Sequence, residues 1–346
     1  MTMKPIHWDK NKLILLDQRK LPNKLCYVTC TCVDDVYKAI KKMIVRGAPA
    51  IGVTAAYGLV LAVKDYKKNE ENDELEYLKK AAEKLGTSRP TAINLNWALS
   101  RMISVAENNS SDNLYDLLIK EATSVHNSDL EGNYKMGEIG ADLILPNSSI
   151  ITHCNAGALA TSGYGTALGV VRKASQDGNI KKIYATETRP WFQGSRLTAS
   201  ELLFDKLSVT IIIDSAAGYL MNSECIDWVI VGADRVTLNG DVINKIGTYN
   251  LAILAEKHDT KFMVVAPTST IDLATESGFD VCIEQRREEE VKYFNNQLIA
   301  PEKANVFNPV FDVTPSSLID VLVTEKGAIW DPNDEKITNL MCGSNI

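Results

Sequence analysis

The chain has 346 residues and no excess of positive charge: 37 Lys and Arg stand against 44 Asp and Glu, a net charge of -7. An acidic balance argues against nucleic acid or an anionic membrane as partner, while leaving room for a small anion in a local basic pocket. No unbroken apolar run reaches the ~18 residues of a bilayer span. The opening MTMKPIHWDKNKLIL lacks the layout of a secretory signal, so the cytoplasm is the expected location. Cysteine is present without a pattern. Cys26, Cys30, Cys32, Cys154, Cys225, Cys282 and Cys342 are odd in number and scattered, which argues against a disulfide framework. Cys26, Cys30 and Cys32 are close together, but no second pair follows at a zinc-like spacing, so half-buried strand residues are expected there rather than a metal site. P-loop, HExxH, GxSxG and kinase motifs are all missing, and so are evident internal repeats and low-complexity tracts.

What is there reads as two domains, as the length also suggests. Residues 1–145 pass from a small β element into a mainly helical domain. VDDVYKAIKKMI places Val36, Ile40, Met43 and Ile44 on one helical face, and Pro49 suits the first turn of a buried helix that runs on through the apolar stretch to Val63. The charge-rich KDYKKNEENDELEYLKK reads as a solvated loop and helix face. Residues 146–346 alternate short Ile- and Val-rich strands (SIITHC, KKIYATE, VTIIID, DWVIVGAD, KFMVVAP) with helix-length segments such as RLTASELLFDKL and GTYNLAILAEKH. That alternation predicts an α/β domain with a parallel sheet covered on both faces.

In such a sheet the ligand sits outside the carboxyl ends of the strands. Those ends here carry His153 and Cys154, Glu187, Asp214, Asp234 and Pro267. Cys154 opens a loop of small residues and glycines, SIITHCNAGALATSGYGTALG, whose backbone amides are expected to approach a phosphate. Asp234, after an apolar strand, would become a general acid if desolvation raised its pKa. Arg46, Arg89 and Lys245 each stand near an expected helix N-terminus, and three such cations suggest a phosphorylated small molecule.

VRGAPAIGVTAAYGL, SRPTAINLNWAL, THCNAGALATSGYGTALGVVR, ETRPWFQGSRLTASEL, VIVGADRVTLNGDVINKIGTYNLA and APTSTID closely resemble, in this order, the blocks of the methylthioribose-1-phosphate isomerases. That family is homologous to regulatory subunits of the translation-initiation guanine-nucleotide exchange factor. The resemblance implies a helical N-terminal domain, a Rossmann-like C-terminal domain and a homodimer. It implies isomerisation of an aldose 1-phosphate to a ketose 1-phosphate in methionine salvage, without metal or other cofactor. Carried over by motif, the catalytic pair is Cys154 and Asp234, and the substrate contacts are Arg46, Gly47, Ala48, Arg89, Gln193, Asn244 and Lys245. The chain departs from the family's pattern at Tyr134, Ile139, Ser215, Ala216 and Tyr219, and carries the bulky Trp191 and Phe192. Related activities are isomerisation of 5-deoxyribose 1-phosphate and non-catalytic sensing of a phosphorylated ligand. Retention of both Cys154 and Asp234 favours an enzyme.

Overall fold

The computed structural model describes residues 3–69, 73–90, 92–109 and 113–343. β1 (Ile6–Asp9), β2 (Lys12–Leu16) and β3 (Tyr27–Cys30) form an antiparallel sheet in that order. The β1–β2 turn places Lys10 and Asn11 at φ 44° and 63°, the left-handed pair that matches strand twist in a two-residue hairpin. Cys30 is buried, and burial pushes its thiol up to about 12.

α1 (Val33–Lys41) turns Val33, Val36, Ala39 and Ile40 inward, the i, i+3, i+7 stripe of an amphipathic helix. α2 (Ala48–Asn69) is the centre of the helical part. α3 (Glu74–Gly86), α4 (Ile93–Glu107) and α5 (Leu114–Ala141) pack around it with α1. Residues 70–72, the middle of the charge-rich stretch, lie outside the described residues. Within α2, Ala48–Tyr66 is long and apolar enough by length and composition to cross a bilayer, contrary to expectation, because Thr54, Tyr57, Lys64 and Asp65 break the apolar run without pulling its mean hydropathy low enough to exclude a span. Its window is 83% buried in the protein, and a helix surrounded by others must be apolar on every face.

The second half holds β4 (Ser148–Thr152), α6 (Ala167–Gln176), β5 (Ile180–Thr186), α7 (Ala199–Phe204), β6 (Thr210–Ile212), α8 (Ala217–Ser223) and β7 (Trp228–Val231). Then come β8 (Arg235–Thr237), β9 (Val242–Lys245), α9 (Thr248–Lys257), β10 (Lys261–Val265) and β11 (Ile271–Asp272). The chain ends with α10 (Glu289–Lys292), β12 (Tyr293–Phe294), β13 (Gln297–Leu298), β14 (Phe311–Thr314), β15 (Val321–Thr324), β16 (Gly327–Trp330) and α11 (Asp334–Cys342).

The main sheet runs β6–β5–β4–β7–β10–β15–β16, parallel except for β16. Counted by appearance in the chain, its first six strands have the doubly wound order 3-2-1-4-5-6, so the expected Rossmann-like sheet is present. Its central strands are fully inward, with Ile150, Ile151, Val229, Ile230, Met263 and Val264 at zero exposure, as burial on both faces requires. A second sheet, β11–β8–β9–β14, was not anticipated: its strands are short and interrupted by polar residues. The helix expected over residues 196–207 is also shorter, because a π-helical turn, Gly194–Thr198, precedes α7. α5 belongs to both cores. Leu118, Ala122 and Val125 pack with the helices, whereas Met136 and Ala141 pack against the sheet.

Candidate active site

β4 and β7 are neighbours, yet the chain leaves them in opposite directions: toward β5 from β4, and toward β10 from β7. A crevice must open where the winding reverses. Cys154 lies two residues beyond the end of β4, and Asp234 three beyond β7. A cavity of about 330 Å³ occupies this place, walled on the other side by the start of α2 and by Arg89, Pro90 and Ala92. It is lined by Cys154, Asp234, Arg46, Gly47, Ala48, Arg89, Gln193, Asn244 and Lys245 together, so all nine residues singled out above meet in one space.

Local geometry explains several of these positions. Gly47 has φ 100°, and a side chain there would meet the Ala160 backbone, so only glycine lets the chain turn into α2 against the loop after β4. Cys154 is itself left-handed, at φ 60°. For a residue with a side chain this costs about 1–3 kcal/mol and persists only where the surroundings impose it. Here the Cys154 N–H donates to Thr188 Oγ1 (2.9 Å), and its carbonyl accepts from Thr198 Oγ1 (2.6 Å).

The cavity is electropositive. Arg46 donates through Nη1 to Asn155 Oδ1 (2.6 Å) and through both terminal nitrogens to the Asn155 carbonyl (3.0 Å). Lys245 donates to the Val310 carbonyl (3.0 Å), and burial lowers its pKa to about 8. Burial also lowers Arg89, whose Nε has no hydrogen-bond partner among the described residues. None of the three cations joins an ion pair among the described residues. Asp234 faces them. Burial raises its pKa, against the opposing pull of Lys245, Arg46, Arg89 and Arg286. The arrangement seats an anion and holds one carboxyl group ready to exchange a proton.

Part of the glycine loop, Asn155, Ala156, Ala160, Thr161 and Thr166, lines the cavity, but two of its amides serve another purpose than expected. The backbone amides of Ala158 and Leu159 donate to the carboxylate of Glu201 at 2.7 and 3.0 Å, so they are not free for a phosphate. Glu201 has no exposure; it also accepts from Asn155 Nδ2 (2.9 Å) and pairs with Arg172 (2.8 Å). A Cβ on Gly157 would lie under 3.0 Å from both Glu201 carboxylate oxygens. The loop is thin because it wraps a buried carboxylate, and through Asn155 that carboxylate orients Arg46.

His153 does not act as a cation beside Cys154. Its Nε2 lies 2.9 Å from the Ile246 carbonyl and must donate to it, so Nδ1 accepts from Thr186 Oγ1 (2.7 Å). Burial lowers its pKa and keeps the ring neutral. Asp214 caps the backbone amides of Thr188 and Arg189 (2.7 and 2.8 Å). Neither it nor Glu187 lines the cavity, and Trp191 and Phe192 do not either, since Phe192 packs on Phe294 instead. The departures at Tyr134, Ile139, Ser215, Ala216 and Tyr219 also lie off the cavity wall. Sequence reasoning missed Asn155 and Arg286. Asn155 was visible beside Cys154 in the same block, whereas nothing in EQRREEE distinguishes Arg286 from Arg287.

A doubly wound sheet with unpaired cations around a carboxylate at its switch point defines an α/β protein built to hold a small anion. The chain belongs to the Initiation factor 2 subunit family, whose model matches residues 44–331. It is 48% identical over 343 residues, covering 98% of this chain and 99% of the relative, to a protein of Desulforamulus reducens named methylthioribose-1-phosphate isomerase. Among solved structures it is similar to 5-methylthioribose 1-phosphate isomerase from Pyrococcus horikoshii: TM-score 0.90, 41% identity, 98% of this chain and 96% of that one. It is also similar to translation initiation factor eIF-2B, subunit delta, from A. fulgidus: TM-score 0.85, 43% identity, 97% and 99% covered.

Proposed function

We propose that the protein isomerises 5-methylthioribose 1-phosphate to 5-methylthioribulose 1-phosphate, as part of methionine salvage. The observation that carries this reading is the cavity, where Asp234 and Cys154 face an anion seat of Arg46, Arg89 and Lys245. Gly47, Ala48, Gln193 and Asn244 complete the substrate contacts in this reading. The names of full-length relatives at about half identity support it.

Because C1 carries the phosphate ester, opening the ring cannot release a free aldehyde while the ester is intact. Asp234, in its acid form, gives its proton to the ring oxygen as the C1–O bond breaks, and the bonding pair stays on oxygen. C1 is left electron-poor. The C2 hydrogen then moves to C1 with its electron pair, and the C2 hydroxyl returns a proton to the Asp234 carboxylate as C2 becomes a carbonyl. Cys154, 6% exposed and backed by small residues, polarises the site and excludes water from the electron-poor carbon. The rival route is enolisation, with the Cys154 thiolate removing the C2 proton. Neutral His153 gives that thiolate no cation and leaves nearby Lys245 to stabilise it; an electron-poor C1 in a water-excluded site favours hydride transfer.

Two assays test this. Turnover is measured with the 5-methylthio and the 5-deoxy sugar 1-phosphates; activity on the first is expected. Activity on the second alone would move the protein to 5-deoxyribose disposal. Inactivity on both would favour a non-catalytic regulatory subunit, the third reading, which the likeness to the A. fulgidus protein supports. Run in deuterium oxide, the ketose product should carry no deuterium at C1, and substantial incorporation would sink the hydride route.

The reading extends to a homodimer in the cytoplasm. Exposed Leu203, Ile211, Ile213 and Tyr219, on and beside the edge strand β6, support self-association.

A further inference from the structure

Residues 280–286 close one side of the cavity, and among them Arg286 is the lining cation. Its side chain is 12% exposed, whereas Arg287 faces solvent. Nη1 reaches Met43 Sδ, also on the cavity wall, at 3.5 Å, and Met43 stands three residues before Arg46. Nε donates to Glu284 Oε1 (3.2 Å), and Glu290 lies 3.9 Å from Nη1. Nη2 makes no hydrogen bond among the described residues. The charge of Arg286 bears on Arg89, Lys245 and Asp234 alike, so these groups share one enclosed space. Glu284 is one-third exposed, and water screens much of its compensation. Five cations line the cavity, Arg46, Arg89, Lys245, Arg286 and the Asp272-paired Arg235, against two carboxylates, Asp234 and the exposed Asp280, which leaves it short of negative charge that a phosphate dianion would supply.

We infer that Arg286 is a fourth cation of the phosphate seat, beside Arg46, Arg89 and Lys245, donating through Nη2 to the substrate's phosphate. This rests on reading the cavity as a sugar-phosphate site. Arg286 would then set preference for phosphorylated over neutral sugars while taking no part in bond breaking.

The test is isothermal titration of the full chain with inorganic phosphate, alongside steady-state kinetics, for wild type, R286Q, R286K and E284Q. R286Q should weaken phosphate binding and raise KM by about tenfold or more, with kcat within about threefold, as loss of a charge-assisted contact made in ground and transition states alike requires. R286K should recover part of the loss. E284Q keeps the cation and removes its competitor, so it should bind phosphate as well as wild type or better. Unchanged phosphate affinity or unchanged KM in R286Q overturns the inference. So does an E284Q defect as large as that of R286Q, which would mean that the loop is merely held in place by the pair. A wild type without measurable phosphate binding overturns it too. Calorimetry does not depend on turnover: if phosphate binds through Arg286 but neither sugar is isomerised, the proposed function fails and this inference stands.

Discussion

Lys245 offers a direct measurement of the site's electrostatics. Its ammonium lies at the end of β9, 7% exposed, with the Val310 carbonyl as its hydrogen-bond acceptor. Burial brings its pKa from 10.5 to about 8, with nearby Cys154 and Asp234 pulling it back up and Arg286 and Arg46 pushing it down. If the substrate phosphate binds the protonated form and Asp234 keeps its proton over the same range, kcat/KM should be level to about pH 7, reach half at about pH 8 and then fall. It should drop to about one tenth at pH 9 and about one hundredth at pH 10, following the protonated fraction of the free enzyme. The phosphate does not contribute to this limb, since its second ionisation, near pH ~6, is complete below the window. kcat itself should hold to higher pH, because a bound dianion keeps the ammonium charged. Lys245→Arg should flatten the limb, since a guanidinium stays charged throughout. A wild-type profile level to pH 10, or a K245R profile with the wild-type midpoint, would refute the reasoning. The stability linkage has a definite sign. With the folded pKa below the unfolded one, the unfolded chain binds more protons between about 8 and 10.5. Holding this charge inside therefore costs about 3 kcal/mol below pH ~8, and the cost fades as pH rises across that window.

Asp234→Asn should lower kcat by about 10²–10⁴-fold while leaving inorganic phosphate binding intact by calorimetry, since an amide cannot give up the proton that ring opening needs; a variant retaining more than about a tenth of wild-type kcat would remove Asp234 from that role. Gly157→Ala should destabilise the fold by about 1–3 kcal/mol, because the new methyl meets the Glu201 carboxylate. An unchanged thermal midpoint would show that the loop gives way freely.

Much of the architecture is legible because the physics is local. A strand buried on both faces has to be a short apolar run, which is how β4, β7 and β10 stand out. Polar residues just beyond such runs fall at the carboxyl edge of the sheet, so Cys154 and Asp234 are visible as candidates before any coordinates. Cations preceding helix starts are visible in the same way. What escapes is decided by partners distant in the chain. Gly157 answers to Glu201, and only the fold brings the two together. Arg286 sits in a charged run whose residues look alike until the loop directs one inward. Phe192 sits beside Gln193 in the chain yet faces Phe294, because its own left-handed turn, φ 55°, redirects it. The second sheet is built from pieces of two to four residues, too short for any alternation to declare itself.

The shared helix α5 bears on how the molecule comes apart. Its 28 residues span about 42 Å at 1.5 Å per residue, entering among helices and leaving against the sheet. A cut near residue 145 would strip Met136, Ala141 and Ile144 from their partners Ala167, Val170 and Val171, or leave that hydrophobic face bare on the excised piece. Neither half is thus a free-standing module that could be exchanged or grafted. Melting of the sheet would withdraw support from the last turns of the helix that the other core needs, so heat should act on the chain as one cooperative unit with a single calorimetric transition.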